Sequence, residues 1–220
     1  MANTPLQNGL GHIYGPGKSV KTDGAIPVWL EQSGSVTMGA LSSLEHKIDG
    51  THKVSDFYPK SIRTATPFKD LGNHTFCPIP TYRVLEAVSA TDTVVKIAKQ
   101  DGLPLLVNGM SLAKAADATK KITVDMGDVS IDTDGFYKIT ITANDFGTLA
   151  AGDALILEAC AGDKPAGLSK DNLIYDGIDT TKAKLNVSLI DVGRVIEDTA
   201  PVVPAGMQQK LQTIKWDKIF

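Results

Sequence analysis

Histidines are the first residues to consider for chemistry, because a neutral imidazole binds metal ions and transfers protons near neutral pH. The chain has four of them, His12, His46, His52 and His74. None stands in an HExxH motif or beside a cysteine at the spacing of a zinc site. His46 and His52 are six residues apart, which is the wrong spacing for adjacent turns of one helix. We therefore expect no metal site, and we interpret the histidines as solvated or packing residues.

A run of carboxylates before Gly135 is the second candidate. Asp125, Asp128, Asp132 and Asp134 follow one another at intervals of three, four and two residues. An EF-hand calcium loop needs ligands at positions 1, 3 and 5 and a glutamate at position 12, so the spacing does not fit. The phrase Asp132-Thr-Asp-Gly is typical of a hairpin turn. The sequence predicts a turn here, with adventitious calcium binding as the minor alternative.

Nucleophilic and phosphate-binding motifs are also missing from the sequence. It contains no GxSxG, and Gly9-Leu-Gly-His-Ile-Tyr-Gly lacks the spacing of a phosphate loop. The two cysteines, Cys77 and Cys160, form no metal pattern, and we expect both to be reduced apolar fillers, with a disulfide as the minor alternative. Paired carboxylates for glycoside hydrolysis cannot be recognised from spacing, and no pair stands out. We expect a protein that is not an enzyme and needs no cofactor.

Composition narrows the possible partners. The chain has 220 residues, of which 42% are apolar and 21% charged, which suffices for a buried core. A net charge of −3 gives no electrostatic reason to expect nucleic acid, since phosphate binding needs clustered Lys and Arg. No apolar run approaches the roughly 20 residues that cross a bilayer. The first residues lack the basic and apolar regions of a secretory signal, so we expect folding in a cytoplasm without membrane contact.

Short strands must position whatever this chain presents. Residues 80–157 consist of brief β-branched and apolar runs cut by Gly, Asp and Asn, which predicts a compact antiparallel β-domain. Alternation places Val95 and Ile97 on one face and Lys96 on the other, and it places Ile139 and Ile141 inward. The order of strand, loop, glycine turn and strand occurs twice. This weak repeat predicts a small barrel closed by pairing of the two halves.

The two ends of the chain have a different character. Residues 1–65 carry scattered apolar residues and many glycines, which predicts an extended, irregular N-terminal arm, ordered on a partner surface or else wrapped against the main domain. The four prolines between residues 59 and 80 favour an extended connector. Residues 113–118 could form one helical turn or a long loop. Near the end, Pro204 predicts the start of a short helix, and Ile214 and Trp216 predict a docked last strand.

Several phrases of the chain resemble the head fibre and auxiliary (decoration) capsid proteins of tailed phages that infect gut Bacteroidetes, the crAss-like type. The resemblance covers roughly residues 64–220, and it differs at two turns, Gln100-Asp-Gly-Leu-Pro and Asn108-Gly-Met. The phrases that carry it are Thr66-Pro-Phe-Lys-Asp-Leu-Gly, Tyr82-Arg-Val-Leu-Glu-Ala-Val, Val94-Val-Lys-Ile-Ala-Lys, Val107-Asn-Gly-Met, Tyr137-Lys-Ile-Thr-Ile, Ala151-Gly-Asp-Ala-Leu, and Ala200-Pro-Val-Val-Pro followed by Leu211-Gln-Thr-Ile-Lys-Trp.

The resemblance implies a structural virion protein on the outside of an icosahedral head, made in the bacterial host cytoplasm. Its expected partners are the major capsid protein, further copies of itself (a homotrimer, or a dimer) and other head-fibre proteins. We divide the chain into an anchoring arm, 1–65, and a β-barrel or sandwich domain, 66–220, that ends in a strand or short helix. The expected contact residues are Tyr14, Trp29, Trp216 and Phe220.

A carbohydrate-binding β-module for surface adhesion is the alternative function. Sugar stacking needs exposed aromatic rings, and Tyr14 and Trp29 in the loop-rich segment are the plausible platform. Aromatic residues make up only 6% of the chain, which counts mildly against this alternative.

Overall fold

Short strands are the main regular elements of the structure, a computed structural model that describes residues 31–32, 46–73, 75–176, 187–197 and 199–218. Two one-turn helices, α1 (Val54–Phe57) and α2 (Ala205–Gln208), and 3-10 turns at Met126–Asp128 and Glu158–Cys160 accompany them. The strands are β1 (Glu31–Gln32), β2 (Ser61–Ile62), β3 (Pro67–Gly72), β4 (Thr75–Pro78), β5 (Thr81–Arg83), β6 (Val94–Ile97), β7 (Ser111–Lys114), β8 (Asp117–Thr123), β9 (Val129–Ile131), β10 (Tyr137–Thr140), β11 (Ala154–Leu157), β12 (Pro165–Ser169), β13 (Leu173–Ile174), β14 (Leu189–Ile190), β15 (Gly193–Ile196) and β16 (Ile214–Asp217).

These strands form five sheets within the described residues. The orders are β1-β14-β12-β3-β4, β5-β11-β7-β8, β6-β10-β9, β13-β2 and β15-β16. Every pair is antiparallel except β15 with β16, which run parallel. Apolar side chains from all parts of the described chain pack into one continuous core. The prediction of a mainly β, sandwich-like fold is therefore confirmed.

The two repeated halves of the sequence pair with each other. In the β6–β10 pair Val95 lies opposite Ile139, and in the β7–β11 pair Ala113 lies opposite Ile156. The pairing of the halves is as predicted. The two pairs belong to different sheets, however, and the described strands do not close into a barrel.

The alternation of residues along the strands sets which side chains face the core. Val95 and Ile97 of β6 are buried, and so are Tyr137 and Ile139 of β10, whereas Thr140 is exposed. The two inward faces meet because β6 and β10 are paired in register. The period-2 pattern thus predicted both strands and their orientation correctly.

The last third of the predicted arm, residues 46–65, contributes to the core. Val54, Phe57 and Tyr58 are fully buried, and Ile62 on β2 lies beside them in the same apolar cluster. The Leu105 N–H donates to the Phe57 C=O at 2.8 Å, which ties α1 to a loop of the main domain. From residue 46 onward, the segment assigned to an extended arm therefore contributes to the β-domain. The following connector, with its prolines, forms β2, β3 and β4 and is extended, as predicted.

Residues 113–118 form part of a hairpin, so the prediction of a helical turn or loop is wrong. β7 and β8 pair antiparallel, with Leu112 opposite Ile122. Ala113 is fully buried within β7 and pairs with β11 on its other side. Alanine favours helices in isolation, but pairing on both sides and burial outweigh that preference here.

The C-terminal region contains both of the predicted elements. Pro204 is the residue that precedes α2, and β16 follows as the last described strand. The Thr81 hydroxyl donates to the Val202 carbonyl, and Arg83 donates to the Ala200 carbonyl at 3.1 Å, so this region is tied to β5. No helix among the described residues has the length and apolar character that a membrane crossing requires.

Candidate functional site

An open groove of about 890 Å³ lies on the surface of the described residues. Its lining comes from residues 59–63 around β2, from the loop at residues 99–105 and from residues 172–176 around β13, with Gly135 of the β9–β10 turn at one end. These segments are far apart in the sequence. The groove therefore exists only in the folded chain.

Main-chain hydrogen bonds hold the walls of the groove in place. β13 pairs with β2, and the Tyr175 N–H extends this pairing by donating to the Lys60 C=O at 3.0 Å. On the other side, the Arg63 N–H donates to the Gly102 C=O at 3.0 Å. Gly102 has a φ of +77°, and a Cβ on it would lie 3.0 Å from the Arg63 nitrogen. Only glycine fits this conformation and this close approach without strain, so the loop is held against β2.

Charged and amide side chains line the rim of the groove. The Lys60 ammonium lies 3.6 Å from the Asp176 carboxylate, and both side chains are largely exposed. Such an exposed ion pair contributes little to stability, which leaves both groups able to exchange partners. The Arg63 guanidinium donates to the Gln100 side-chain oxygen across the groove. The rim therefore presents both hydrogen-bond donors and hydrogen-bond acceptors to a polar polypeptide.

The groove also has an apolar element. Ile174 on β13 is 67% exposed, the highest value among the large apolar side chains of the described residues. Beyond it, the Lys99 ammonium lies 5.5 Å from the centre of the Tyr137 ring, a cation–π contact that orients the lysine stem. The groove therefore combines one exposed apolar side chain with charged and amide groups on its rim.

Of the four contact residues predicted from the sequence, Trp216 alone lies in the described part of the chain, and it does not line this groove. Tyr14, Trp29 and Phe220 lie outside the described residues. Trp216 lies in β16, where it is half-buried and packs against the core. Its indole N–H is buried and has no acceptor among the described residues. Trp216 therefore acts first as a packing residue, and its part in a subunit contact stays a prediction.

The candidate metal residues have structural partners. Asp125 accepts a hydrogen bond from the Gly127 N–H, and Asp132 accepts from the main chain of Asp134 and Phe136 in the β9–β10 turn. The predicted hairpin turn is confirmed. Within the described residues no group of three or more His, Cys, Asp or Glu side chains could hold a metal ion.

The two histidines in the described part of the chain differ in their surroundings. His46 is exposed, and His52 forms an ion pair with Asp49. His12 and His74 lie outside the described residues.

The two thiols are free, buried and unsuited to nucleophilic chemistry. Burial raises the pKa of Cys77 and of Cys160 to about 12, although the nearby Lys69 ammonium opposes the effect. Lys69 lies 4.0 Å from the Cys160 sulfur and 2.7 Å from the Asp163 carboxylate. Because the thiolate is the reactive form, both cysteines are inert at neutral pH. The prediction of two reduced, packing cysteines is confirmed.

The groove was not recognisable in the sequence. Its lining segments, residues 59–63, 99–105 and 172–176, lie far apart, and nothing in their spacing placed them together. Comparison with protein-family models, with curated proteins and with solved structures finds no significant match. The function therefore has to be argued from the resembling phrases and from this surface.

Proposed function

We propose that the protein is a structural virion protein that decorates the outside of a phage head, binds the major capsid protein and forms a homo-oligomer. The observation that carries the proposal is the position of the resembling phrases. Val94–Ile97 forms β6 and Ala154–Leu157 forms β11, one strand from each of the two paired halves. These phrases specify the framework of the β-domain, so a chain that shares them is expected to share that framework.

The groove supports the proposal because it suits a partner's extended chain. Within the described residues β13 pairs with β2 alone, and in this proposal a partner's extended chain adds to the other edge of β13. Ile174 on the same strand supplies an apolar anchor, and Lys60 and Asp176 supply the polar rim. We therefore assign the capsid contact to this groove.

The N-terminal residues supply a second contact in this proposal. Residues 1–30 precede β1, the first described strand, which pairs with β14. A segment that becomes ordered on the shell adds contacts to those of the groove, and the copies of an oligomer multiply both. We expect a trimer, located on the virion exterior and able to carry other head-fibre proteins.

The test of the groove uses capsids that lack the protein and a matched pair of variants. Ile174→Lys changes the apolar anchor, whereas Ile131→Lys changes an isoleucine on β9 that is 56% exposed and outside the groove lining. Loss of an interface anchor costs about 2 kcal/mol or more, roughly a thirty-fold rise in Kd. Co-sedimentation should show that rise for Ile174→Lys and none for Ile131→Lys. Equal binding by both variants would refute the groove assignment alone.

The test of the function as a whole is binding by the wild-type protein. We expect saturable binding to capsids and weaker binding after deletion of residues 1–30. Light scattering should give the mass of an oligomer, which we expect to be a trimer. A monomer that ignores capsids and binds immobilised glycans would refute capsid decoration, and it would favour the carbohydrate-binding alternative.

A further inference from the structure

His52 joins two turns that lie far apart in the sequence. Its Nδ1 lies 2.6 Å from the Asp49 Oδ2, and its Nε2 lies 2.9 Å from the main-chain oxygen of Asn108, 56 residues away. The His52 side chain is only 13% exposed. The first turn, residues 46–53, leads into α1, and the second connects the loop at residues 99–105 to β7.

Both partners of the imidazole ring are hydrogen-bond acceptors. A main-chain carbonyl accepts only, so the His52 Nε2 must carry a proton to bond with Asn108. Burial disfavours the charge of Asp49, but the hydrogen bonds from His52 and Thr51 lower its pKa, so at neutral pH the carboxylate is ionised and accepts only. Its other oxygen, Oδ1, accepts from the main-chain N–H groups of Thr51 and His52. A neutral ring with its proton on Nε2 would point the Nδ1 lone pair at this carboxylate. Only the imidazolium donates from both nitrogens and satisfies both turns.

The other groups around the ring favour the same charge state. Asp56 in α1 adds a second negative charge near the imidazole, and the Phe57 ring packs edge-on with centroids 6.1 Å apart. The turn that contains Asn108 presents a neutral carbonyl. Among the described residues, the charges that raise the pKa of the imidazole are two carboxylates. One lies in the same turn as His52 and the other in α1.

We propose that His52 is a proton-controlled latch, which holds residues 46–53 against the turn at residues 107–109 while it is protonated and loosens them when it loses a proton. The latch lies directly before the buried residues of α1. The protonation of His52 therefore determines how stably residues 46–53 are held against the rest of the described β-domain.

The direction of the pH effect follows from the two groups. Burial disfavours the charged ring, but the hydrogen bonds to Asp49 and Asn108 outweigh it, so the pKa of His52 is raised above its ordinary 6.5. The latch then contributes fully below pH 6.5 and is lost as the pH rises through the folded-state pKa. Burial likewise disfavours the Asp49 carboxylate, but the bonds from His52 and Thr51 lower its pKa below 3.8. Its contribution is lost as the pH falls through that lowered value.

The experiment measures His52 itself and then the stability of the whole chain. NMR titration of the full-length protein should give His52 a pKa above 6.5, and Asp49→Asn should lower it. Urea unfolding between pH 5 and 9 should show a loss of stability with rising pH. That loss should approach roughly tenfold in the folding equilibrium constant for each unit by which the measured pKa exceeds 6.5.

The matched controls are two histidine variants from the same turn. His52→Gln should remove this part of the pH dependence, whereas His46→Gln should keep it, because the His46 side chain is exposed and the bond that His46 accepts, from the Val54 N–H, goes to its main-chain carbonyl. The latch is refuted if wild-type His52 titrates at or below 6.5. Parallel pH profiles for wild type and His52→Gln would refute it as well. The titration needs no variant, so the proposal stays testable even if His52→Gln fails to fold.

Discussion

Replacement of Phe57 by alanine tests whether residues 46–65 belong to the folded body of the protein. Phe57 lies in α1, is 0% exposed and packs in the common core. Removal of a fully buried phenylalanine side chain costs about 3–5 kcal/mol, because apolar contact is lost and a cavity remains. For a chain of this size each kcal/mol lowers Tm by about 2–4 °C, so we expect a decrease of roughly 6–20 °C.

The assay is thermal and urea unfolding of purified full-length variants. Ile131→Ala on the exposed edge strand is the control and should change stability by less than about 1 kcal/mol. Phe57→Leu keeps much of the buried volume and should fall between the two, which retains a readout if Phe57→Ala does not fold. If Phe57→Ala were as stable as the control, residues 46–65 would be an arm as first predicted, and the reasoning from burial would be refuted.

Two further predictions concern the interior of the largest sheet and the buried thiols. Gly167→Ala should destabilise the protein by about 1–3 kcal/mol in urea unfolding, since the added Cβ would lie 2.8 Å from the Ile190 carbonyl oxygen on the neighbouring strand; an unchanged midpoint would contradict that approach. Cys77 and Cys160 should not react with a disulfide reagent at pH 8 in the native protein, because burial raises both pKa values to about 12, and both should react in denaturant. Rapid labelling of the native protein would contradict their burial.

Patterns within a few residues of sequence correctly predicted strands and turns whose structure depends only on those residues. The alternation around Val95 and Ile139 gave the right strands and faces, because a half-buried strand needs period 2 whatever its partner is. The turn at Asp132 was equally clear, since its side chain bonds to the main chain two and four residues ahead. Patterns of this kind can be recognised from a few consecutive residues, without knowledge of distant partners.

The misjudged parts depend on partners that are distant in sequence. Phe57 lies in a short stretch that mixes apolar with polar and charged residues, and no pattern in it shows that Leu105 and the rest of the core pack around this segment. Ala113 has a helix-favouring composition around it, and its β conformation comes from β8 on one side and β11 on the other. The groove combines both difficulties, because Gly102 and Ile174 meet only after three separate segments have folded.

The pairing of β3 with β12 has a consequence for how the chain is made. Thr66 and Ser169 are 103 residues apart, and Thr81 and Val202 are 121 apart, yet each pair is joined by a hydrogen bond. At a synthesis rate of about 5–20 residues per second, the first strand waits roughly 5–20 s before its partner exists. During that time its apolar face and its edge are open to chaperones and to other nascent chains. Slow codons after β3 should therefore lower the soluble yield, and co-produced chaperones should restore it.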